Sequence, residues 1–301
     1  MTSKRIKQYA LPVAMGIGTV GHQYISNIAF LSPYLISLIL ILTFTKLSPK
    51  HIRFSKSHFI LLIIQIASAV AVYASLSHYN VTIAQGALMC VLIPTATTAP
   101  VATKILGGNV GYVTTYLFLC NCTMAILTPL IFTIISSEDV AFFATFGSII
   151  KRIGTLLVAP LVLIWLIRFF MPKMHDKIET YSHLSFPIWA ITLMIATSST
   201  VSYVLAHPNL GVIKLSIMAL LAIILSIVQL AIGRKIGQKH GNAIACGQSL
   251  GQKNTILAIW IAQTFLDPAS SLIPAIYVIS QNLINSYQIW LKENKTKGII
   301  K

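Results

Sequence analysis

The chain has 301 residues, of which 56% are apolar and only 9% charged, with a mean hydropathy of +0.81. A soluble domain carries about 25% charged residues, so an all-round watery surface is excluded and lipid is the expected solvent for the outer face. The net charge of +16 does not indicate nucleic acid as a partner, because the cations lie in short clusters between apolar segments, a pattern suited to an anionic inner leaflet.

Ten apolar segments are expected, at about 8–27, 31–47, 58–76, 80–104, 109–136, 153–172, 184–206, 211–233, 241–265 and 268–291, against the roughly 20 residues a span needs. The first follows Lys4, Arg5 and Lys7 without a small-residue cleavage site, so it reads as a span and not as a leader. It ends on the polar residues His22, Gln23, Ser26 and Asn27. The third carries Gln65. The fourth is interrupted by Pro94-Thr95-Ala96-Thr97-Thr98-Ala99-Pro100, and the fifth has a polar stripe of Thr115, Asn121 and Thr123. Residues 138–152 are expected as an interfacial helix, with Phe142, Phe143 and Phe146 toward lipid and Lys151 and Arg152 toward headgroups. The ninth segment is interrupted from Cys246 to Asn254, and the tenth bears the stripe Ser280, Gln281, Asn282, Asn285 and Ser286. Cys90, Cys120, Cys122 and Cys246 fall inside spans without metal-site spacing and read as small buried hydrophobes. No metal site is expected.

Charge sets the orientation. With both termini cytoplasmic, the inner segments hold Lys4, Arg5 and Lys7; Lys46, Lys50, Arg53 and Lys56; Lys104; Lys173 and Lys177; Arg234, Lys235 and Lys239; and Lys292, Lys295, Lys297 and Lys301. The outer loops, 77–80, Glu138-Asp139, His207-Pro208-Asn209 and Asp267, contain neither Lys nor Arg, as the positive-inside rule requires. Lys151, Arg152 and Lys214 are exceptions near outer segment ends, where a long side chain can snorkel. Five segments per half invert the second half, 137–301, relative to the first, 1–136, a common transporter plan. The expected fold is therefore an all-α polytopic membrane protein with discontinuous fourth and ninth helices.

Paired interruptions at matching depth point to a transport site, because broken backbone is tolerated in a bilayer only where protein or a watery cavity satisfies it. Pro94 and Pro100 lack backbone donors, and Thr95, Thr97 and Thr98 bring hydroxyls. If the helix unwinds there, the half-helix starting near Thr98 presents free N–H groups and a positive dipole end that attracts anions. A continuous, kinked helix is the alternative. In the ninth segment Gly247 and Gly251 loosen the helix, while Gln248, Ser249, Gln252 and Asn254 add polar groups. Lys253 lies midway along it. An ammonium at that depth costs roughly 2.5–3.5 kcal/mol on insertion scales, so such residues usually line a path or a site. The alternative is a shallow lysine snorkelling to the cytoplasm. With no carboxylate in any span, Lys253 is expected to bond carbonyls and amides or to pair with an anionic substrate. Gln65 is placed at the crossing or in a helix contact, Gln263 and Asp267 at the outer end, and His22 and His183 at interfaces. No nucleophile–base signature, phosphate-binding loop or HExxH pattern is present, so an enzyme is not expected.

These residues resemble the bile acid:sodium symporter family, over nearly the whole chain. The likeness is carried by the run from Pro94 to Asn109, by Leu127-Thr128-Pro129, and by Gly251-Gln252-Lys253-Asn254 with Leu257-Ala258. It implies ten helices, with a core of segments 3–5 and 8–10 (about 58–136 and 211–291) in which helices four and nine cross. It also implies a panel of segments 1, 2, 6 and 7 (about 8–47 and 153–206), and alternating access between core and panel. The implied function is secondary active transport of organic anions, either bile-acid-like or small carboxylate and sulfonate solutes. The partners are the solute and the lipid bilayer, a monomer suffices, and the location is the inner (plasma) membrane. Where sodium-coupled members place ion ligands, however, this chain has Ala99-Pro100, Val113, Leu117, Ser249 and, in place of a glutamine, Lys253. The expectation is that Lys253 substitutes for bound sodium, as a fixed charge or as a proton-coupling group, with no other cofactor. The expected site is Gln65, Thr95, Thr97, Thr98, Pro100, Asn121, Gln248, Ser249, Gln252, Lys253 and Asn254. Alternatives are a sodium symporter with an altered ion site, a cation–proton antiporter, which would need an intramembrane carboxylate, and a non-transporting receptor.

Overall fold

The structure is a computed structural model, and it describes residues 13–45, 52–135, 142–206 and 211–296. Within these ranges it does not describe the side chains of 142–146, 148–149, 152–154, 157, 293 and 295–296. Several residues used to orient the chain therefore lie outside the described residues: Lys4, Arg5, Lys7, Lys46, Lys50, Glu138, Asp139, His207, Pro208, Asn209, Lys297 and Lys301, together with the side chains of Phe142, Phe143, Phe146, Arg152 and Lys295.

The chain is nearly all helical. Helix α1 covers 13–20, and α2 (His22–Ile25) passes through a 3₁₀ stretch into α3 (Ser32–Phe44). Helix α4 (Lys56–Ser77) begins at a reciprocal cap, in which His58 Nδ1 accepts from the backbone N of Ser55 at 2.9 Å. Helix α5 (Val81–Leu92) is capped by Asn80, whose Oδ1 accepts from Ile83 N, since a short polar side chain replaces a missing helical acceptor. Helix α6 (Ala99–Leu106) stops at Gly107, whose φ of +80° suits only glycine at low cost. The remaining helices are α7 (Val110–Ile135), α8 (Phe142–Phe170), α9 (Pro172–Thr180), α10 (Ser185–Ala206), α11 (Val212–Gln238), α12 (Ala243–Gly251), α13 (Thr255–Phe265) and α14 (Leu272–Thr296).

Among the described residues, five stretches are long and apolar enough to cross a membrane by length and composition: His22–Phe44, Lys56–Ser77, Val110–Ile135, Pro172–Ala206 and Val212–Gln238. The fourth and ninth expected segments do not qualify as single helices because each is divided in two. One expectation is corrected. The interfacial helix at 138–152 and the sixth span form one helix from Phe142 to Phe170, because nothing around Lys151 ends it and Pro160 stands well inside.

The chain divides into two compact units. The first comprises the described parts of 1–48, 125–211 and 259–271; the second comprises those of 49–124, 212–258 and 272–301. In the first, α3 packs on α8 and α10, burying Leu40, Phe44, Ile164 and Leu193. The second gathers α5, α11, α12 and α14 around Leu88, Met89, Leu92 and Tyr277.

Helix α11 shows what its solvent is. Ile213, Ile217, Leu220, Ile224 and Ile227 form an exposed apolar stripe, while Ser226 and Gln229 point inward. Such a surface suits hydrocarbon and would be an aggregation liability in water. On the opposite face α11 meets α12 at backbone distance. A Cβ on Gly233 would sit 2.5 Å from the Cys246 carbonyl oxygen, and one on Gly237 2.6 Å from that of Asn242. This close seam holds α12 against α11 up to the point where the second break begins.

Candidate functional site: the crossing of two interrupted helices

Both interruptions contain real breaks, and both lie in the second unit; the second is narrower than expected, because α12 runs unbroken through Cys246–Gly251 and only Gln252–Asn254 leave the helix. Ahead of Pro94 the chain leaves the helix at Ile93, with φ −54° and ψ 145°, as a residue before proline is pushed to do. At the other break Gln252 is extended, with φ −89° and ψ 106°. The two extended pieces pair with each other. Thr95 and Lys253 form an antiparallel bridge, flanked by Ala96 N donating to Gln252 O at 2.9 Å and Asn254 N donating to Pro94 O at 2.9 Å. The Thr95 hydroxyl donates to Ser249 O at 2.7 Å. Each break thus supplies hydrogen-bond partners that the other has lost, where lipid could supply none.

The carbonyls at the end of α5 need further donors, and side chains provide them. Gln229 Nε2 reaches Cys90 O at 3.2 Å, and Gln65 Nε2 reaches Leu92 O at 2.8 Å and Ile93 O at 3.0 Å. The Lys253 ammonium donates to Val91 O at 2.8 Å and to Ile93 O at 3.3 Å. Lys253 is wholly buried, so it does not snorkel. Its charge sits at the negative end of the α5 dipole, where a cation is stabilising. On the ninth-segment side, Tyr277 OH donates to Gly251 O at 2.9 Å, and Gln281 accepts from Lys253 N at 2.9 Å.

The half-helix starts match expectation only in part. Free N–H groups were expected near Thr98, yet Ala99 N donates to Ala96 O and Val101 N to Thr98 O, both at 3.0 Å, and Pro100 has no N–H. At the start of α13, Leu257 N donates to Asn254 Oδ1 at 3.3 Å and Thr255 N to Lys253 O at 2.8 Å. A bare buried donor costs about 1–3 kcal/mol, and these turns avoid that by closing on themselves. The dipole ends remain, and the N–H groups of the half-buried Thr97 and Thr98 donate to no hydrogen bond.

Of the expected site residues, Gln65, Thr95, Ser249, Gln252 and Lys253 meet at the crossing and are buried, Gln252 contributing through its backbone. Thr97, Thr98, Pro100 and Asn254 are half-buried and form its accessible edge. Gln248 lies one turn back on α12, bonded to Asn285 and Gln288. Asn121 is not joined to the crossing by a hydrogen bond: its amide donates to Leu117 O on its own helix, and its Oδ1 is buried without a partner. At the positions that the resemblance pairs with sodium ligands, Ala99, Val113 and Leu117 are buried and apolar, and the Ser249 hydroxyl is buried without a partner. Gln229, Tyr277, Gln281 and Tyr116, which donates to Gln65 Oε1 at 2.8 Å, were not anticipated as site residues. The two glutamines carried a signal, as amides deep in apolar segments; the tyrosines carried none.

In the first unit, Asp267 Oδ1 accepts from Ala269 N at 3.0 Å. Gln263 Nε2 lies 3.4 Å from the hydroxyls of Thr200 and Ser271. His22 meets the Ser202 hydroxyl, and His183 the Thr180 carbonyl. The four cysteines are free thiols.

A family model described as the Sodium Bile acid symporter family matches residues 59–207, from the third expected segment through the seventh. No curated protein matches the chain.

Proposed function

Because the chain belongs to the sodium bile acid symporter family, we propose that it is a secondary active carrier of organic anions in which the ammonium of Lys253 stands in for a transported sodium ion. In this reading ten transmembrane helices form two inverted five-helix repeats in the inner membrane, with both termini cytoplasmic. Segments 3–5 and 8–10 form the core, segments 1, 2, 6 and 7 the panel, and movement of one against the other gives alternating access. The solute, bile-acid-like or a smaller carboxylate or sulfonate, meets the accessible edge of the crossing at Thr97, Thr98 and Asn254. One chain is enough for a cycle.

The observation that carries the proposal is the buried Lys253 ammonium on Val91 O and Ile93 O. Carbonyl oxygens at a helix end are the kind of ligand a hard cation takes, and here a covalently attached cation holds them. Sodium also needs several oxygen ligands, whereas Ala99, Val113 and Leu117 offer apolar side chains. The experiment is uptake of radiolabelled taurocholate and pantoate into vesicles reconstituted with purified protein, with and without an inward sodium gradient. Accumulation indifferent to sodium is expected, and strict sodium dependence overturns the proposal. Lys253→Met then separates the two roles of the lysine: loss of pH dependence identifies a proton-coupling group, and its persistence identifies a fixed charge.

A further inference from the structure

One turn away from the crossing, a second polar cluster joins three helices of the same unit. Arg234 of α11 donates through Nη2 to Gln288 Oε1 at 2.8 Å. Gln248 of α12 donates through Nε2 to the same Gln288 oxygen at 3.3 Å and to Asn285 Oδ1 at 3.1 Å. Gln248 is wholly buried, Gln288 8% exposed and Asn285 9% exposed.

The arginine fixes the polarity of the group. A guanidinium can only donate, so Gln288 must turn its oxygen toward Arg234. Gln248 must then present its amide nitrogen to that oxygen, and Asn285 its oxygen to Gln248. Both α14 acceptors are consumed inside the cluster, and the Gln248 Oε1 is buried without a partner. What the cluster can still offer outward is donors: the rest of the guanidinium fork and the amide nitrogens of Asn285 and Gln288. The half-buried arginine has no carboxylate partner among the described residues. Its stem is also seated by design of the neighbouring helix, since a Cβ on Gly247 would lie 2.6 Å from Arg234 Cγ.

We propose that Arg234, Asn285 and Gln288 form an oxyanion site that takes the carboxylate of an organic acid. The planar fork suits a carboxylate bidentately, and the amide nitrogens of Asn285 and Gln288 add donors beside it. Gln281, Asn285 and Gln288 follow one another at i, i+4 and i+7 on one face of α14. The first bonds the backbone of Lys253 and the last bonds Arg234, which spaces the two places by about 10 Å along the helix. The binding site stands on its own contacts; its role as a waiting station on the solute's path rests on the carrier reading.

The test uses the full chain in detergent micelles free of added anionic lipid, with potassium benzoate and neutral benzamide as probes, followed by calorimetric titration. Benzoate is expected to bind and benzamide not. Arg234→Gln should weaken benzoate by about tenfold or more, the usual scale of a charge-assisted pair, and Arg234→Lys by less. Gly247→Ala should weaken it as well, with every charge retained, by displacing the arginine stem. Lys235→Gln, which removes an exposed neighbouring cation, should leave it unchanged. If Arg234→Gln does not fold, Arg234→Lys and Gly247→Ala carry the test. Equal binding by wild type and the Arg234 variants overturns the site, as does an equal effect of Lys235→Gln, which would mean diffuse charge. Micelles containing phosphatidylglycerol form a separate arm: a response to the lipid that benzoate cannot displace overturns the solute assignment in favour of a headgroup. Because binding is read without transport, failure of the carrier reading leaves the result intact.

Discussion

Replacing Gln65 by Leu removes the most fully used side chain at the crossing at almost constant volume. Its Nε2 serves Leu92 O and Ile93 O, and its Oε1 accepts from Tyr116 OH at 2.8 Å and from the Cys120 thiol at 3.5 Å. Ile93 O keeps Lys253, so the groups left bare are Leu92 O and Tyr116 OH, both wholly buried. Two orphans at about 1–3 kcal/mol each give a loss of about 2–6 kcal/mol. Interhelical bonds in membranes average only about 0.6 kcal/mol, which points to the lower half of that range, near 3 kcal/mol. Tyr116→Phe alone should cost about 1 kcal/mol. In the double variant the tyrosine orphan no longer exists, so the combined loss should fall short of the sum by about 1 kcal/mol or more. Unfolding titrations of the four proteins in mixed micelles measure this directly. Additive losses, or a Gln65→Leu protein within about 0.5 kcal/mol of wild type, would refute the claim that freed backbone is what these side chains are for.

Two further outcomes follow from geometry. Gly233→Ala must drive a methyl against the Cys246 carbonyl and Gly247 Cα, at 2.5 and 2.9 Å, and should cost about 1–3 kcal/mol as overpacking does. Gly147→Ala, with nothing within 4 Å, should leave stability unchanged or raise it by up to about 1 kcal/mol; the same unfolding titration ranks the pair. His58→Ala removes the acceptor of Ser55 N and the group that meets Tyr112 O at 3.0 Å, so amide exchange at Ser55 should quicken by about tenfold for a lost bond worth about 1.4 kcal/mol. Unchanged exchange there would mean that the cap does not hold the start of α4.

The breaks were readable because their causes are local. Proline removes a donor whatever surrounds it; the glycines were a poorer guide, since Gly247 sits inside α12 and the helix ends only after Gly251. Lys253 stood out because a charge at mid-span has to be explained. Its partners were not readable. Val91 and Ile93 lie 162 and 160 residues away, and no periodicity links a lysine to the carbonyls of a different break. The expectation of free donors near Thr98 held only in part, for a local reason that residue types conceal: Thr97 and Thr98 keep unbonded N–H groups, while the turn at Ala96–Ala99 closes on its own carbonyl. The helix from Phe142 was divided on the strength of Lys151 and Arg152, charges that weaken a membrane span without weakening a helix. Gln281 was one member of a polar stripe and Gln229 was not singled out, and only the unpaired backbone opposite them gives them a role.

A borrowed cation and a built-in one make different demands on an empty carrier. Where carbonyls depend on an ion from solution, the ion stabilises the fold by mass action, about 2.7 kcal/mol at a hundredfold excess over its dissociation constant. Here Val91 O and Ile93 O are satisfied with nothing taken from solution, so the crossing holds together when empty. The expected result is that exchanging potassium for sodium leaves the thermal midpoint of the wild-type protein unmoved. Lys253→Gln leaves Val91 O bare, while Ile93 O keeps Gln65 Nε2, and installs the glutamine that the resemblance places there in sodium-coupled members. It should unfold at a lower temperature in potassium and recover part of the loss in sodium. Thermal melts of both proteins in the two salts, at one ionic strength, decide the matter. A sodium shift in the wild type, or none in a folded Lys253→Gln protein, would break the link between this lysine and the ion it is held to replace.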